Sequence, residues 1–431
     1  MIIKELTLTN FRGYKELTVP LHDKFNLIIG DNGSGKTAIL EALTVAMGSL
    51  FLGIINTQSR HILPKDVHIS TLENSQEFGF PVIVKASGTL NNEPVTWQRE
   101  LTSLKSKTLI RGALKIKDIG KQYDKRIRSG EEVNLPVLAY YATGRLFDEA
   151  RDREEKLSKN PEIASRLRAY NQCLQAKMTF KKFIRWFKGK EISRIQKGEA
   201  DLSYILVKET IVNTIPGCKN VFFEFDPDKS VGFTVILDDG RTLPFNYLSD
   251  GTRNFIALIA DIAFKCVTLN PHLKRKALTE TSGIVLIDEL DLHLHPEWQR
   301  QIVSSLKNTF PKVQFVTTTH SPFLIQETEE NQLIKLKNNQ IETIGEANNL
   351  SIEDIVEEFQ DVENPQWSLK RQLMFEKSKE YYKAVKEGTE SVELKNELDE
   401  AMKPFSGDTA YYAILEQERL VKEADNHETN K

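Results

Sequence analysis

At 431 residues the chain is longer than one modest domain needs, which predicts a large core with an insertion or a second domain. Hydrophobic residues at 40%, charged residues at 28% and a net charge of -3 match ordinary globular usage, and exclude both overall disorder and a uniformly basic nucleic-acid coat. The three cysteines, Cys173, Cys218 and Cys266, form no CxxC pair, and neither a secretion leader nor a run near the roughly 18 apolar residues of a membrane span is present. A cytoplasmic protein without disulfides, cysteine-bound metal or membrane contact is therefore expected.

In chain order, alternation at Ile2 to Thr9 predicts a strand, the apolar run Phe25 to Ile29 a buried strand, and the stretch from Thr37 a helix. Pro81 to Leu90 and Val95 to Leu101 alternate around an Asn-Asn turn and predict a hairpin, and Pro136 to Tyr141 a short apolar strand. Residues 151 to 200 then hold 14 Lys/Arg against 6 Asp/Glu, with Phe180, Phe183, Ile184 and Phe187 at helical spacing, which predicts a basic helical insert. Strands return at Val221 to Phe225 and Val231 to Leu237, and helices and strands alternate to about residue 325, an α/β pattern. From Leu350 the spacing of Ile352, Ile355, Val356 and Phe359 predicts polar-faced helices.

Three segments carry chemistry. GDNGSGKT, from Gly30 through Asp31, Asn32, Gly33, Ser34, Gly35 and Lys36 to Thr37, lies between the apolar run and the helical pattern and fits the phosphate-loop rule at every fixed position. Glycines there free backbone amides to face a polyphosphate, Lys36 can reach its outer phosphates, and the Thr37 hydroxyl can bind Mg²⁺. In GIVLIDELDLHLHP, residues 283 to 296, a strand-length apolar run ends in Asp288-Glu289. The first carboxylate can hold a metal shell and the second can orient or deprotonate a water. KVQFVTTTHSP, residues 312 to 322, delivers His320 to the carboxyl end of another buried strand, the edge where open α/β sheets bind ligands. His293 and His295 are two apart but have no fixed acidic or cysteine partner nearby, so a solvated or packed pair is expected there.

These segments, in this order, with NYLSDGTRN at 246 to 254 between the second and first, resemble the ATPase heads of the ABC superfamily, in the branch of RecF, the SMC proteins and the OLD ATPases. Ser249, Asp250 and Gly251 look like the signature motif, which in that superfamily contacts ATP held by the opposite subunit. Ser249 is also a good helix cap. The resemblance implies a two-lobed α/β P-loop head that binds ATP and Mg²⁺ and dimerises around them. It places Lys36 and Thr37 on the phosphates and metal, Asp288 on the metal, Glu289 as catalytic glutamate, His320 as switch histidine and Asp291 in the loop used across the dimer. Asn10-Phe11-Arg12-Gly13 resembles the early Phe-Arg element whose arginine, here Arg12, approaches the nucleotide. No glutamine marks the metal-sensing loop; Tyr140 to Arg145, YYATGR, occupies its place.

The expected layout is an ATPase lobe at 1–150, a helical insert at 151–219, a second ATPase lobe at 220–345 and a helical extension at 346–431 that docks a partner. A helical hairpin of about 65 residues reaches only on the order of 50 Å at 1.5 Å per residue, too short for an SMC arm. LPFNYLSDGTRNFIALIADIA, FKKFIRWF and DTAYYAILEQERL resemble the short-armed PtuA-like ATPases of Septu and retron anti-phage systems, which work with a separate HNH nuclease. That resemblance implies a slow, dimeric or larger ATPase that regulates a nuclease partner and has no nuclease of its own. The alternative is a RecF-like repair ATPase. For it, Lys181 to Lys197 would grip nucleic acid, with Phe183, Trp186 and Phe187 stacking on bases; the competing view makes those rings core residues of a packed amphipathic helix.

Overall fold

The computed structural model describes residues 1–72, 75–145, 165–175, 180–226, 228, 232–342, 344–389, 391–405 and 417. Parts of the expected insert and extension, including most of DTAYYAILEQERL, lie outside the described residues. The chain forms two compact units, Met1–Leu350 and Ser351–Lys431.

The first unit opens with β1 (Ile2–Phe11), β2 (Tyr14–Pro20) and β3 (Phe25–Gly30), then α1 (Lys36–Met47). A small hairpin of β4 (Ile69–Leu72) and β5 (Ser75–Phe78) precedes β6 (Val82–Leu90) and β7 (Glu93–Leu101), then α2 (Leu114–Arg128) and β8 (Val137–Tyr141). After these come α3 (Phe180–Lys197), α4 (Leu202–Thr214), β9 (Cys218–Glu224), β10 (Gly232–Leu237), β11 (Thr242–Pro244), α5 (Asp250–Leu269) and α6 (Ala277–Glu280). The unit closes with β12 (Gly283–Ile287), α7 (Pro296–Thr309), β13 (Val313–Thr318), α8 (Pro322–Gln326), β14 (Leu333–Lys337) and β15 (Gln340–Glu342).

The core is a six-stranded sheet in the order β15-β14-β3-β13-β12-β8, parallel except for the edge strand β15. Its central strands read FNLII, GIVLI and VQFVTT without alternation, because a parallel sheet covered on both faces has no solvent side. Strands from both halves of the sequence interleave in it: β3 and β8 come from before residue 150, and β12 to β15 from after residue 280. A second sheet, antiparallel in the order β2-β1-β6-β7, is joined to the first across α1, which touches β3 and β13 as well as β1, β6 and β7.

That junction is polar where it must be. The fully buried Gln314 on β13 accepts from Ile3 N at 2.9 Å and donates to Ile3 O at 2.7 Å and His22 O at 2.9 Å, so its amide bridges β13 to the start of β1. The indole of Trp97 on β7 donates to Ala46 O near the end of α1 at 3.0 Å. The β6–β7 hairpin turns on Asn91 and Asn92, at φ 54° and 65°. Two left-handed central residues make a mirror-image turn that matches strand twist and that Asn tolerates. Lys36–Gly53 is the one stretch of the described residues with the length and apolarity of a membrane span, and 83% of it is buried in this unit as α1 and the turns after it.

The described part of the basic segment packs on the unit's third sheet, β11-β10-β9. Phe183 and Phe187 of α3 are 0% exposed and lie 5.8 Å and 5.0 Å from the Phe233 ring of β10, while Phe180 stacks on Phe245 at 4.7 Å. These rings are core residues, not base-stacking platforms. Half-buried Trp186 leans on Phe264 of α5 at 5.1 Å. Several cations of the segment are also engaged: Lys182 donates to Asn171 O and Gln172 Oε1, Lys190 pairs with Asp201 at 2.9 Å and Arg194 with Glu191 at 2.7 Å.

In the second unit, α9 (Ile352–Glu358) starts at a capping box of Ser351 and Asp354, and α10 (Leu369–Glu387) pairs with α11 (Val392–Met402). Met374, Tyr381, Leu398 and Met402 form the core of that pair, which Lys377 crosses on the outside to reach Glu397 at 2.7 Å. The helices expected after Leu350 are therefore present in the described residues.

Phe183→Ala is expected to cost about 3–5 kcal/mol of stability, the range for removing a buried aromatic ring. A denaturant titration in which the midpoint stays within error of the native chain would contradict the placement of this ring in the core.

Candidate functional site

The loop from Gly30 to Thr37 joins the carboxyl end of β3 to α1, and its backbone follows from its glycines. Gly33 and Gly35 sit at φ 84° and 94°, conformations that side chains disfavour. A Cβ on Gly35 would lie 2.2 Å from the Tyr14 hydroxyl, which donates to Ser34 O at 2.8 Å and so clamps the loop from β2. α1 begins at Gly35 with no side-chain cap, which leaves its first amides to whatever anion the loop receives. The Lys36 ammonium donates to Gly30 O at 2.7 Å and Asp31 O at 2.9 Å. Burial holds its pKa below the ordinary lysine value, against the pull of Asp288, Asp31, Glu289 and Asp291. Asp31, Asn32 and Gly33 are exposed, and the buried Ser34 Oγ has no hydrogen-bond partner among the described residues.

Two strands away, β12 ends in Asp288, 3% exposed. Its carboxylate accepts from Thr37 Oγ1 at 3.0 Å and from Thr318 Oγ1, at the tip of β13, at 2.7 Å. Glu289 follows at φ 51°, and its amide donates to that same Thr318 hydroxyl at 2.7 Å. One threonine thus bonds to both residues of the Asp-Glu pair and holds the second in a left-handed turn that costs roughly 1–3 kcal/mol. From the other side, Asp288 N donates to Tyr141 O at 2.8 Å, at the end of β8. The Thr319 hydroxyl donates to Asp291, and His320 is exposed directly after it. The carboxyl ends of β3, β13, β12 and β8 therefore bring Lys36, Thr37, Asp288, Glu289, Asp291 and His320 to one sheet edge.

Left-handed glycines, uncapped helix amides and an orphaned serine hydroxyl suit a polyphosphate. The Thr37 hydroxyl beside the Asp288 carboxylate supplies the oxygen ligands that a hard divalent cation such as Mg²⁺ takes. Residues 25–326 match the family model described as "AAA domain, putative AbiEii toxin, Type IV TA system", which spans most of the chain and this whole sheet edge. The chain belongs to that family. Among the relatives of this AAA-domain protein, "Retron Ec83 probable ATPase" of Escherichia coli is 27% identical over 408 residues, covering 78% of this chain and 72% of the relative. "Septu protein PtuA" of Bacillus thuringiensis is 24% identical over 351 residues, covering 78% and 76%. An SMC head solved with the C-winged helix domain of ScpA aligns at 17% identity over 80% of this chain and 98% of its own, with a TM-score of 0.48. The resemblance to retron and Septu ATPases is borne out.

The remaining residues of this AAA-domain protein named from the sequence lie at the edge of this cluster or beyond it. Ser249 caps α5, accepting from Thr252 N at 3.3 Å, and both it and Asp250 are exposed. Gly251 is needed for a close approach, since a Cβ there would lie 2.1 Å from His293 O. The buried Asn254, one turn on, has neither amide atom hydrogen-bonded among the described residues. Arg12 is held by acids: it pairs with Glu41 and with Asp66, at 2.5 Å and 3.0 Å, and Arg60 bridges the same two carboxylates. Glu41 is one helical turn beyond Thr37 on α1, so Arg12 lies beside the phosphate-loop helix with its charge already matched. Tyr140 and Tyr141 are buried, and the Arg145 side chain lies outside what is described. His295 caps α7 through Nδ1 and His293 supplies the carbonyl under Gly251; both residues are exposed, the solvated of the two alternatives expected for that pair.

Sequence reasoning missed Tyr14, Thr318, Glu41, Asp66 and Arg60. Only Thr318 carried a signal, as one of three consecutive threonines at a strand tip. Thr318→Val would leave the Asp288 carboxylate short of a donor and the Glu289 amide short of an acceptor. It is expected to lower stability by about 1–3 kcal/mol, read as a shift in denaturant midpoint at constant slope; an unchanged midpoint would mean that this hydroxyl does not hold the pair.

Proposed function

We propose that this chain is a slow ATPase that closes into a dimer around ATP and thereby regulates or scaffolds a partner nuclease, of the HNH type, in anti-phage defence. The observation that carries the nucleotide reading is the buried Asp288, held 3.0 Å from the phosphate-loop hydroxyl of Thr37 with Glu289 next to it at the same strand tip. The family assignment and the relatives named for retron and Septu systems support the defence setting.

In this reading the loop amides and Lys36 bind the β- and γ-phosphates. Lys36 has carbonyls of Gly30 and Asp31 within reach, and exchanges them for phosphate oxygens without leaving its pocket. Thr37 and Asp288 would hold Mg²⁺, which would supply positive charge to neutralise the phosphates. Glu289 accepts the proton of the attacking water, and the Thr318 hydrogen bond to its amide fixes where its carboxylate starts. His320, exposed beside Asp291, faces the γ-phosphate side and senses its presence. Ser249 and Asp250 face solvent at the start of α5, open to the ATP of a second copy, with the buried Gly251 seated behind them on His293 O, and a two-fold arrangement makes the two sites equivalent. The chain is soluble and cytoplasmic, and the second unit docks the nuclease. A regulator of this kind is read through its bound state, so slow turnover suits it.

Glu289→Gln is expected to reduce ATP hydrolysis by about 10²-fold or more, and to elute as a dimer with ATP and Mg²⁺ but as a monomer without them. Lys36→Ala should neither bind ATP nor dimerise. Light scattering after gel filtration, with a phosphate-release assay, reads both. A Glu289→Gln protein that hydrolyses at the native rate, or the same mass with and without ATP, sinks the reading. The partner assignment is read separately, by whether a stoichiometric nuclease copurifies with Glu289→Gln and is lost with Lys36→Ala.

A further inference from the structure

Outside the residues already assigned, a buried ion pair lies in the middle of α5. Asp261 and Lys265, 4% and 9% exposed, form an ion pair one helical turn apart, and the Tyr141 hydroxyl, on a side chain 2% exposed, donates to Asp261 Oδ2 at 2.7 Å. Lys265 Nζ also lies 5.7 Å from the centre of the Tyr141 ring. Burial, with the Asp261 charge second, raises the Tyr141 pKa well above its ordinary value, so the phenol stays a donor. An arrangement of this kind is expensive. Desolvating two charges is costly, and apolar side chains of similar volume often pack in such places with equal or greater stability.

What the arrangement does instead is fix Tyr141, the last residue of β8. Its carbonyl accepts from Asp288 N at 2.8 Å, and its hydroxyl is held by α5. Asp288 in turn binds Thr37 and Thr318, and Thr318 binds the Glu289 amide. From the signature helix to the Asp-Glu pair is thus a single residue, gripped at both ends. At its amino end the same helix meets the loop after Glu289, where Gly251 packs on His293 O.

We propose that Asp261 is a positioning residue for the Asp288–Glu289 turn, acting through Tyr141, and that the buried Asp261–Lys265 pair serves this placement and not stability. This rests on the reading of the chain as an ATPase. Residues that grip the phosphates are untouched by the pair, so loss of Asp261 or of the Tyr141 hydroxyl impairs the chemical step and leaves nucleotide binding in place.

The test compares Tyr141→Phe, the double variant Asp261→Leu with Lys265→Met, and the triple variant, in the full chain. The triple variant, which holds neither that buried ion pair nor the Tyr141 hydroxyl, is expected to melt at or above the native temperature, whereas the double variant leaves that hydroxyl without its acceptor and should melt below the triple. The double variant's kcat for ATP should fall about tenfold with KM within about twofold, the pattern of an interaction that acts on the transition state. Tyr141→Phe should show the same split, and adding it to the double variant should cost no more, because both changes cut one connection. A double variant that is well folded with native kcat overturns the proposal. So does Tyr141→Phe with native kcat, a measurement that stands even if the double variant fails to fold. Losses that multiply in the triple variant overturn it too. A native chain with no ATP hydrolysis overturns the ATPase reading itself, and this inference with it.

Discussion

A carboxylate buried to 3% exposure must be met by donors, and the site is organised by how Asp288 obtains them. One hydroxyl comes from α1, through Thr37, and another from the tip of β13, through Thr318. Its own amide is used on a third element, β8, through Tyr141 O. α1, β13 and β8 are therefore tied to one residue, the first two through its carboxylate and the third through its amide. Strand pairing alone would let their ends fray independently. Once Asp288 is buried among them their ends are fixed together, and the phosphate loop, the Asp-Glu turn and the strand leading to His320 share one geometry.

Around that carboxylate, backbone strain is accepted only where it places a functional group. Glu289 stands in the left-handed region at φ 51°, and Gly33 and Gly35 of the loop at φ 84° and 94°, Gly35 with Tyr14 close against it. A Cβ on Gly30 would sit 2.4 Å from Leu336 O, so the start of the loop is shaped by the neighbouring strand as much as by its own sequence. The second sheet has a comparable role at longer range. Gln314 and Trp97 fasten it to β13 and α1, and through its first hairpin it delivers Tyr14 to the loop and Arg12 to the acids beside it.

The parts of this site legible in the sequence are those whose chemistry is local. GDNGSGKT encodes its own turn, and GIVLIDE and QFVTTTH encode buried strands with polar tips, so Lys36, Thr37, Asp288, Glu289 and His320 could each be placed at a strand end before any pairing was known. Strand order could not be read, and with it Thr318 as the shared partner of Asp288 and Glu289, because a hydroxyl 30 residues from Asp288 becomes its neighbour only when β13 lies beside β12. Arg12 shows the opposite case. Its motif was recognisable, but its partners Glu41 and Asp66, and the Arg60 that shares them, lie in an ordinary helix and an irregular connection without pattern, so its neutralised state was invisible. The basic segment left two readings open for a physical reason as well: aromatic residues interleaved with lysine describe a base-stacking surface and an amphipathic helix alike, and burial of Phe183 and Phe187 decides for the packed helix.

α5 unites these observations. Its first turn is exposed at Ser249 and Asp250, its middle is buried against β8, and it touches the catalytic edge at Gly251 and again at Tyr141. In the proposed dimer a second copy's nucleotide would press on the exposed end alone. A helix is stiff along its axis, and close-packed interiors deform little, so a push at the first turn reaches the Asp261–Tyr141 contact nearly undiminished. A softer, wholly apolar packing of the middle of α5 would let the helix slide over β8 without moving the Tyr141 carbonyl. The hydrogen bond to a buried carboxylate resists that slide, because breaking it strands both a phenol and a charge away from water. On this view the costly polar contact sits where it does because it is the point at which occupancy of one site must be felt by the residues that act in the other.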